Sequence, residues 1–355
     1  MEITVRAPAR ITFFGEHQDY FGLPVIPLAI NRYVWIKGHA RDDEKIRVEL
    51  VDLEKKWETT INTINPSPQP RDYLSSGVNV FLKSGYKLPT GFDAKIWGNV
   101  PMFAGLGSSS AFVIGWLKFL FSFAGISLEP LQLAHLGYKA EVEEFHEPGG
   151  CEDHVASAFG GMTYMEPHVM PPIVERVNIP PGYFVIGDSR EKKPTLDILA
   201  RVKKWGFTAI NELRNKGYPE IREITLSHIK GISPNDVPFI DKLESIIEIR
   251  DITFSALKEL RKDPSSIDAH YIGSLLNKHH ELLRDVLEVS TPKIDAMISA
   301  AIKAGALGGK IVGSGGGGCM FAYCLESPEK VARAIAQAGG DPIIVEPASG
   351  AETIK

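Results

Sequence analysis

Cysteine is scarce in this 355-residue chain, which has only Cys151, Cys319 and Cys324. Three unevenly spaced thiols make neither a disulfide framework nor a ligand-spaced zinc pair, so a reducing, cytoplasmic setting is expected. Positive charge is not in excess either. Lys and Arg total 39 against 44 Asp and Glu, a net charge of -5, which leaves no electrostatic footprint for nucleic acid. Long apolar runs are missing as well: the candidate from Ala111 to Phe123 is broken by Lys118 and Ser122, so no membrane span is expected. The opening Met1-Glu-Ile-Thr-Val-Arg6 alternates like a strand and lacks the pattern of a signal peptide. Sequence repeats and low-complexity tails are also lacking. What remains is ordinary globular composition, 44% hydrophobic and 23% charged, on a chain long enough for two cored domains.

Strand-like runs occupy Ile3–Phe14, Arg32–Ala40 and Ile46–Leu53, and Phe92–Val100 is extended. Asp72 is placed to cap a helix reaching about Ser84. Further helices are expected over Ser109–Ala124, Leu128–Phe145 and Cys151–Phe159, followed by a strand ending near Glu166. The proline-rich stretch Pro167–Pro181 is the expected seam, giving domains of residues 1–170 and 171–355. Beyond it come a buried-type strand (Tyr183–Asp188), helices near Thr195–Lys216, Asp236–Arg261 and Ile267–Leu287, and a Thr291-Pro292 helix start. The end reads strand (Gly309–Val312), glycine run, strand (Cys319–Cys324), helix and strand. Strands and helices mixed in this way predict an α+β fold.

Pro101-Met-Phe-Ala-Gly-Leu-Gly-Ser-Ser-Ser-Ala111 carries the most chemistry. It joins an extended run to an apolar helix. Gly105 and Gly107 let the backbone approach a ligand, and a helix N-terminus offers free N–H donors and partial positive charge. Ser108, Ser109 and Ser110 add hydroxyls at the same end. A helix cap needs one serine, so the surplus points to phosphate. No Lys follows the second glycine, as a Walker loop requires, and there is no third glycine or acidic partner at Rossmann spacing.

Three other segments stand out. Gly313-Ser-Gly-Gly-Gly-Gly318 has more glycine than a hairpin requires, and reads either as a backbone that must approach another loop closely or as a flexible surface loop. Gly15-Glu16-His17-Gln18-Asp19-Tyr20 ends a strand with groups suited to sugar hydroxyls, or is a solvated turn. Between Glu141 and His154 lies an acidic cluster without zinc-protease spacing. Glu143 and Glu144 read as surface carboxylates. Gly149-Gly150 instead places Asp153 at a helix start, where a carboxylate is kept charged.

In order along the chain, Pro8–Tyr20, Pro101–Ala111 and Lys310–Cys319 resemble the three signature segments of the GHMP kinases, the superfamily of galactokinase, homoserine kinase, mevalonate kinase and phosphomevalonate kinase. The resemblance implies an N-terminal domain like the second domain of ribosomal protein S5, a ferredoxin-like C-terminal domain, and ATP with Mg²⁺ between them. Arg10, Gly15–Tyr20, Ile26–Ile30, Asn277–Asp295 and Tyr73 with Gly77-Val78 look most like the galactokinases. The Gly-Leu-Gly-Ser-Ser-Ser turn and Gly308–Gly318 are closer to mevalonate or heptose kinases. Ser189–Gly206 also lacks the Tyr that galactokinases usually place on the sugar. By resemblance, Gly105, Leu106, Gly107 and Ser108–Ser110 would hold the triphosphate, and Ser109 with Glu141 the Mg²⁺. Asp153 would be the catalytic carboxylate with Arg10 beside it, while Glu16, His17, Asp19 and the amide of Gly150 would bind sugar. Gly313, Ser314, Gly315 and Gly316 would close over the phosphates. The implied activity is phosphorylation of a monosaccharide, most simply the anomeric hydroxyl of galactose or a galactose-like aldose. The alternatives are a heptose kinase, another monosaccharide 1-kinase, or a sugar and ATP sensor without turnover. The implied partners are the sugar and ATP, with the chain a monomer or homodimer.

Overall fold

The computed structural model describes residues 2–101, 104–147, 149–192 and 194–354; Met102 and Phe103 of the Gly/Ser segment lie outside them. The strands are β1 (Glu2–Phe14), β2 (Ile26–Ala40), β3 (Lys45–Leu50), β4 (Lys55–Thr60), β5 (Phe92–Gly98), β6 (Met162–Glu166), β7 (Ile173–Val177), β8 (Tyr183–Asp188), β9 (Gly308–Ile311), β10 (Cys319–Cys324), β11 (Asp341–Val345) and β12 (Glu352–Ile354). The α-helices are α1 (Tyr73–Lys83), α2 (Ser108–Phe123), α3 (Pro130–Tyr138), α4 (Glu152–Phe159), α5 (Thr195–Asn215), α6 (Leu226–Ile229), α7 (Ile240–Leu260), α8 (Ala269–Glu281), α9 (Pro292–Lys303) and α10 (Pro328–Gln337).

The first sheet runs β12-β1-β2-β5-β3-β4, with β6 paired to β2 and β7 to β6. Lys45-Ile-Arg-Val shows why it forms, since alternate residues Ile46 and Val48 are buried and the charged ones face out. Helix α2 is apolar on all sides and therefore central: Val113, Trp116, Leu117 and Phe119 are fully buried. The second sheet, β11-β8-β10-β9, is antiparallel throughout. With helices between β8 and β9 and α10 between β10 and β11, it has the ferredoxin-like order.

The two sheets share a core. Phe13, at the end of β1, packs against Phe184, Phe321 and Tyr323 of the second sheet at centroid distances of 5.8, 5.7 and 6.3 Å. A strand pair spans the expected seam. Residue 170 lies between β6 and β7, which pair antiparallel from Met162–Val177 to Glu166–Ile173. The first sheet therefore runs to Val177, and β12 rejoins it against β1. Prolines bracket β7 rather than prevent it, because the strand lies at the sheet margin where their missing N–H groups cost little. The helix expected over Leu128–Phe145 instead ends as α3 at Tyr138 and continues as a π turn, Lys139–Glu143.

Candidate active site

A cavity of about 280 Å³ lies where the two halves meet. It is lined by Arg10, Glu16, His17 and Asp19, by Gly105, Gly107 and Ser108–Ser110, by Glu141, Gly150 and Asp153, and by Gly313-Ser314.

The Gly/Ser turn is fixed by backbone contacts from both halves. The Arg10 N–H donates to Leu106 O at 3.0 Å, and the Cys319 N–H to Ala104 O at 2.9 Å. Gly107 caps α2 with a φ of 71°, in the left-handed region that glycine adopts freely. A Cβ there would come within 3.3 Å of both Arg10 Cγ and Asp153 Oδ2. The first N–H inside the helix to bond back is that of Ala111, to Gly107 O. The amides of Ser108, Ser109 and Ser110 are thus the free donors of the helix start, suited to an anion.

The second glycine run closes on the first. Gly313 has a φ of 73°, and its Cβ position lies 3.0 Å from Gly105 O. His17 Nε2 is 3.2 Å from the Ser314 carbonyl. A Cβ on Gly315 would come within 2.3 Å of Val289 O, and one on Gly316 within 2.2 Å of Ile198 Cδ1. Of the two readings of this run, close backbone approach is the one the geometry supports.

Asp153 sits in the first turn of α4. Arg10 Nε donates to its Oδ1 at 2.7 Å, and Arg10 Nη1 donates to Gly105 O at 2.6 Å. One guanidinium therefore ties the carboxylate to the phosphate turn. Glu141 is buried on the π turn, where Ser110 Oγ donates to its Oε2 at 2.7 Å and His154 Nε2 lies 2.8 Å from the same oxygen. Burial pushes the Glu141 carboxyl up, but His154, Ser109 and Ser110 outweigh it and hold it below its ordinary value. An ionised carboxylate beside two serine hydroxyls supplies hard oxygen donors, and one such carboxylate plus substrate phosphates is the usual Mg²⁺ set. The residues present fit the ion.

Asp19 accepts from the Tyr20 N–H at 2.8 Å. Burial raises its carboxyl, and the neighbouring Asp153 raises it further. Gly150 faces it so closely that a Cβ would fall 1.7 Å from Asp19 Oδ2. Glu143 is exposed and Glu144 bonds Lys83 at 3.1 Å, in keeping with a surface role.

Two participants were not singled out from sequence. Glu152 is buried with its Oε1 3.9 Å from Arg10; burial pushes its carboxyl well up, against the pull of Arg10. Lys310 is fully buried and donates to Glu16. A lysine inside an otherwise apolar strand was the available signal. It is masked by the glycines beside it.

The model of the GHMP kinase N-terminal domain matches residues 72–161 and that of the C-terminal domain residues 255–341. The galactokinase galactose-binding signature matches residues 1–38. A mevalonate kinase of Thermococcus sibiricus is 30% identical over 98% of this chain and 96% of its own. A galactokinase of Pyrococcus furiosus is 28% identical over 90% of this chain and 88% of its own. The structure of Lactococcus lactis galactokinase complexed with galactose superposes with a TM-score of 0.88 at 21% identity, covering 99% of this chain and 95% of that one. These matches run the length of the molecule and embrace both halves of the cavity.

Proposed function

Since this chain belongs to the GHMP kinase family, phosphotransferases acting on an alcohol acceptor, we propose that its acceptor is a neutral aldose, phosphorylated by ATP at the anomeric hydroxyl of galactose or a galactose-like sugar. The observation that carries this reading is the charge of the acceptor end. Glu16, Asp19, Glu152 and Asp153 converge there, and carboxyl groups are partners for hydroxyls. Among the described lining residues the only Arg or Lys are Arg10 and Arg71. Arg10 is paired with Asp153, and Arg71 with Glu147 at 2.7 Å. Both lining guanidiniums are thus already paired, so an acceptor bearing its own carboxylate or phosphate would compete with these carboxyl groups for them, at a cost in desolvation and repulsion. The Lys203 ammonium, 4.7 Å over the Tyr20 ring, is a further cation near Asp19.

In this reading Glu16, His17, Asp19 and the Gly150 amide orient the sugar. Asp153 takes the proton of the attacking hydroxyl as its oxygen bonds to the γ-phosphorus and ADP departs. Arg10 keeps Asp153 ionised and aimed, and the Ser108–Ser110 amides with the Gly313–Gly316 loop hold the phosphates. Glu141 with the adjacent serine hydroxyls would hold Mg²⁺, which when bound would supply neutralising charge to the phosphates. Phosphoryl transfer depends on such positioning and electrostatics more than on covalent chemistry. Tyr73 and Val142, which also line the cavity, suit the adenine.

A second reading, mevalonate as acceptor, is favoured by the 30% identity to the Thermococcus enzyme and by the absence of Tyr from Ser189–Gly206. A coupled ADP-release screen over galactose, glucose, galactosamine, uronic acids, heptoses and mevalonate separates the two, with Asp153→Asn as the blank. Asp153-dependent turnover of a neutral aldose supports the proposal. Turnover of mevalonate alone overturns it, and ATP binding without turnover of any compound points to a sensor.

A further inference from the structure

Lys310 lies on β9 of the second sheet and Glu16 just past β1 of the first, so their contact crosses the junction of the two halves. Lys310 is 0% exposed and does not line the cavity, whereas Glu16 does. All three ammonium protons are engaged: one by Glu16 Oε1, one by Thr12 O at 2.8 Å and one by Ile311 O at 3.1 Å. The ammonium also stands 5.2 Å from the Phe321 ring centre. Two backbone carbonyls and a ring therefore fix the cation independently of its carboxylate.

Glu16 is held by one oxygen only. Its Oε2 is buried and has no hydrogen-bond partner among the described residues; His279 Nε2, on an imidazole that burial holds well below its ordinary value, lies 3.7 Å away. A buried carboxylate oxygen left without a partner is costly unless something fills the role, and this one belongs to a group in the cavity wall.

We propose that Lys310 is a positioning residue for the acceptor, clamping Glu16 by one oxygen so that its carboxylate stays charged and fixed in the wall of the acceptor site. The proposal rests on the reading of a neutral polyol acceptor. It also accounts for a buried charge in the second sheet that has no contact with the cavity. Burial pushes the Glu16 carboxyl up and Lys310 is the largest influence pulling it down, so loss of the ammonium leaves a protonated and rotatable acid.

The test compares Lys310→Met, Lys310→Arg and the double variant Glu16→Gln/Lys310→Met, using D-galactose and ATP as varied substrates. In Lys310→Met the galactose KM should rise about ten- to a hundredfold while kcat and the ATP KM stay within a few-fold. Lys310→Arg should restore most of the loss. Infrared difference spectra of the same proteins without substrate read the clamp directly: Lys310→Met minus wild type should show an added carbonyl stretch of a protonated acid, absent from the double variant minus wild type. An unchanged galactose KM, or no added protonated-acid band in Lys310→Met, overturns the proposal. If Lys310→Met does not fold, the charge-neutral double variant decides, and a wild-type galactose KM there overturns the proposal. If wild type phosphorylates no aldose, the functional reading fails, and the infrared comparison alone decides whether Lys310 sets the charge of Glu16.

Discussion

Replacing Gly150 with alanine tests the acceptor site with a single methyl group. Its φ is not in the left-handed region, so alanine brings no backbone strain. The added Cβ would lie 1.7 Å from Asp19 Oδ2 and 2.2 Å from Asp19 Cγ, so the carboxylate must swing away. In doing so it gives up the Tyr20 N–H at 2.8 Å and its place facing the sugar. Hydrogen bonds to charged groups contribute roughly 1.5–3 kcal/mol each. Loss of the one to the sugar raises the galactose KM by about ten- to a hundredfold. The ATP KM should move far less, because the added methyl group meets Asp19 and not the phosphate turn. ADP-release kinetics with each substrate varied in turn give both constants, and a thermal melt verifies folding. The sharper check is a double-mutant cycle: in an Asp19→Ala background the same methyl group meets no carboxylate and should add little. A wild-type galactose KM in Gly150→Ala would refute the reasoning, and so would a full additional loss in the double variant.

Asp153→Asn should lower kcat by about 10²–10⁴-fold, the usual worth of a positioned base, with nucleotide affinity by calorimetry retained. Gly313→Ala should raise the ATP KM, since its Cβ lies 3.0 Å from Gly105 O and its φ of 73° is strained for alanine; unchanged nucleotide kinetics would separate this loop from the phosphates. Stability should fall as pH drops from about 6.5 towards 4. Burial, against the pull of Asp295, lowers the His280 imidazole to about 4, so between those values the unfolded chain binds a proton that the folded one does not. The loss amounts to up to about 3 kcal/mol. Denaturant titrations across that range should show a shallower slope in His280→Gln, and an identical slope would exclude His280 as the source.

Much of the site was legible in the sequence because its chemistry is local. The Gly/Ser turn needs free amides at a helix start, and glycine and serine advertise that need. Pairings across long separations were not legible by spacing: Arg10 meets Asp153 from 143 residues away, and only the order of motifs suggested it. Glu141 looked like one of several acidic residues on a helix. The π turn that delivers it to Ser110 and His154 depends on packing against α1 and α2, which no periodicity records. Strand β7 was hidden among prolines, and β12 is too short to announce itself. Lys310 escaped because a buried lysine is recognised by what surrounds it in space.

The core shared by the two sheets bears on how the enzyme admits its substrates. A hinge that parted the halves would strip Phe13 from Phe184, Phe321 and Tyr323, while those three stay together on the second sheet. At about 1.5–3 kcal/mol for a large side chain fully exposed, uncovering Phe13 and the ring faces packed on it costs several kcal/mol, a sizeable part of the stability of a domain. Wide opening is therefore not expected as a step of turnover. Small-angle scattering should accordingly give the same radius of gyration with and without nucleotide and sugar.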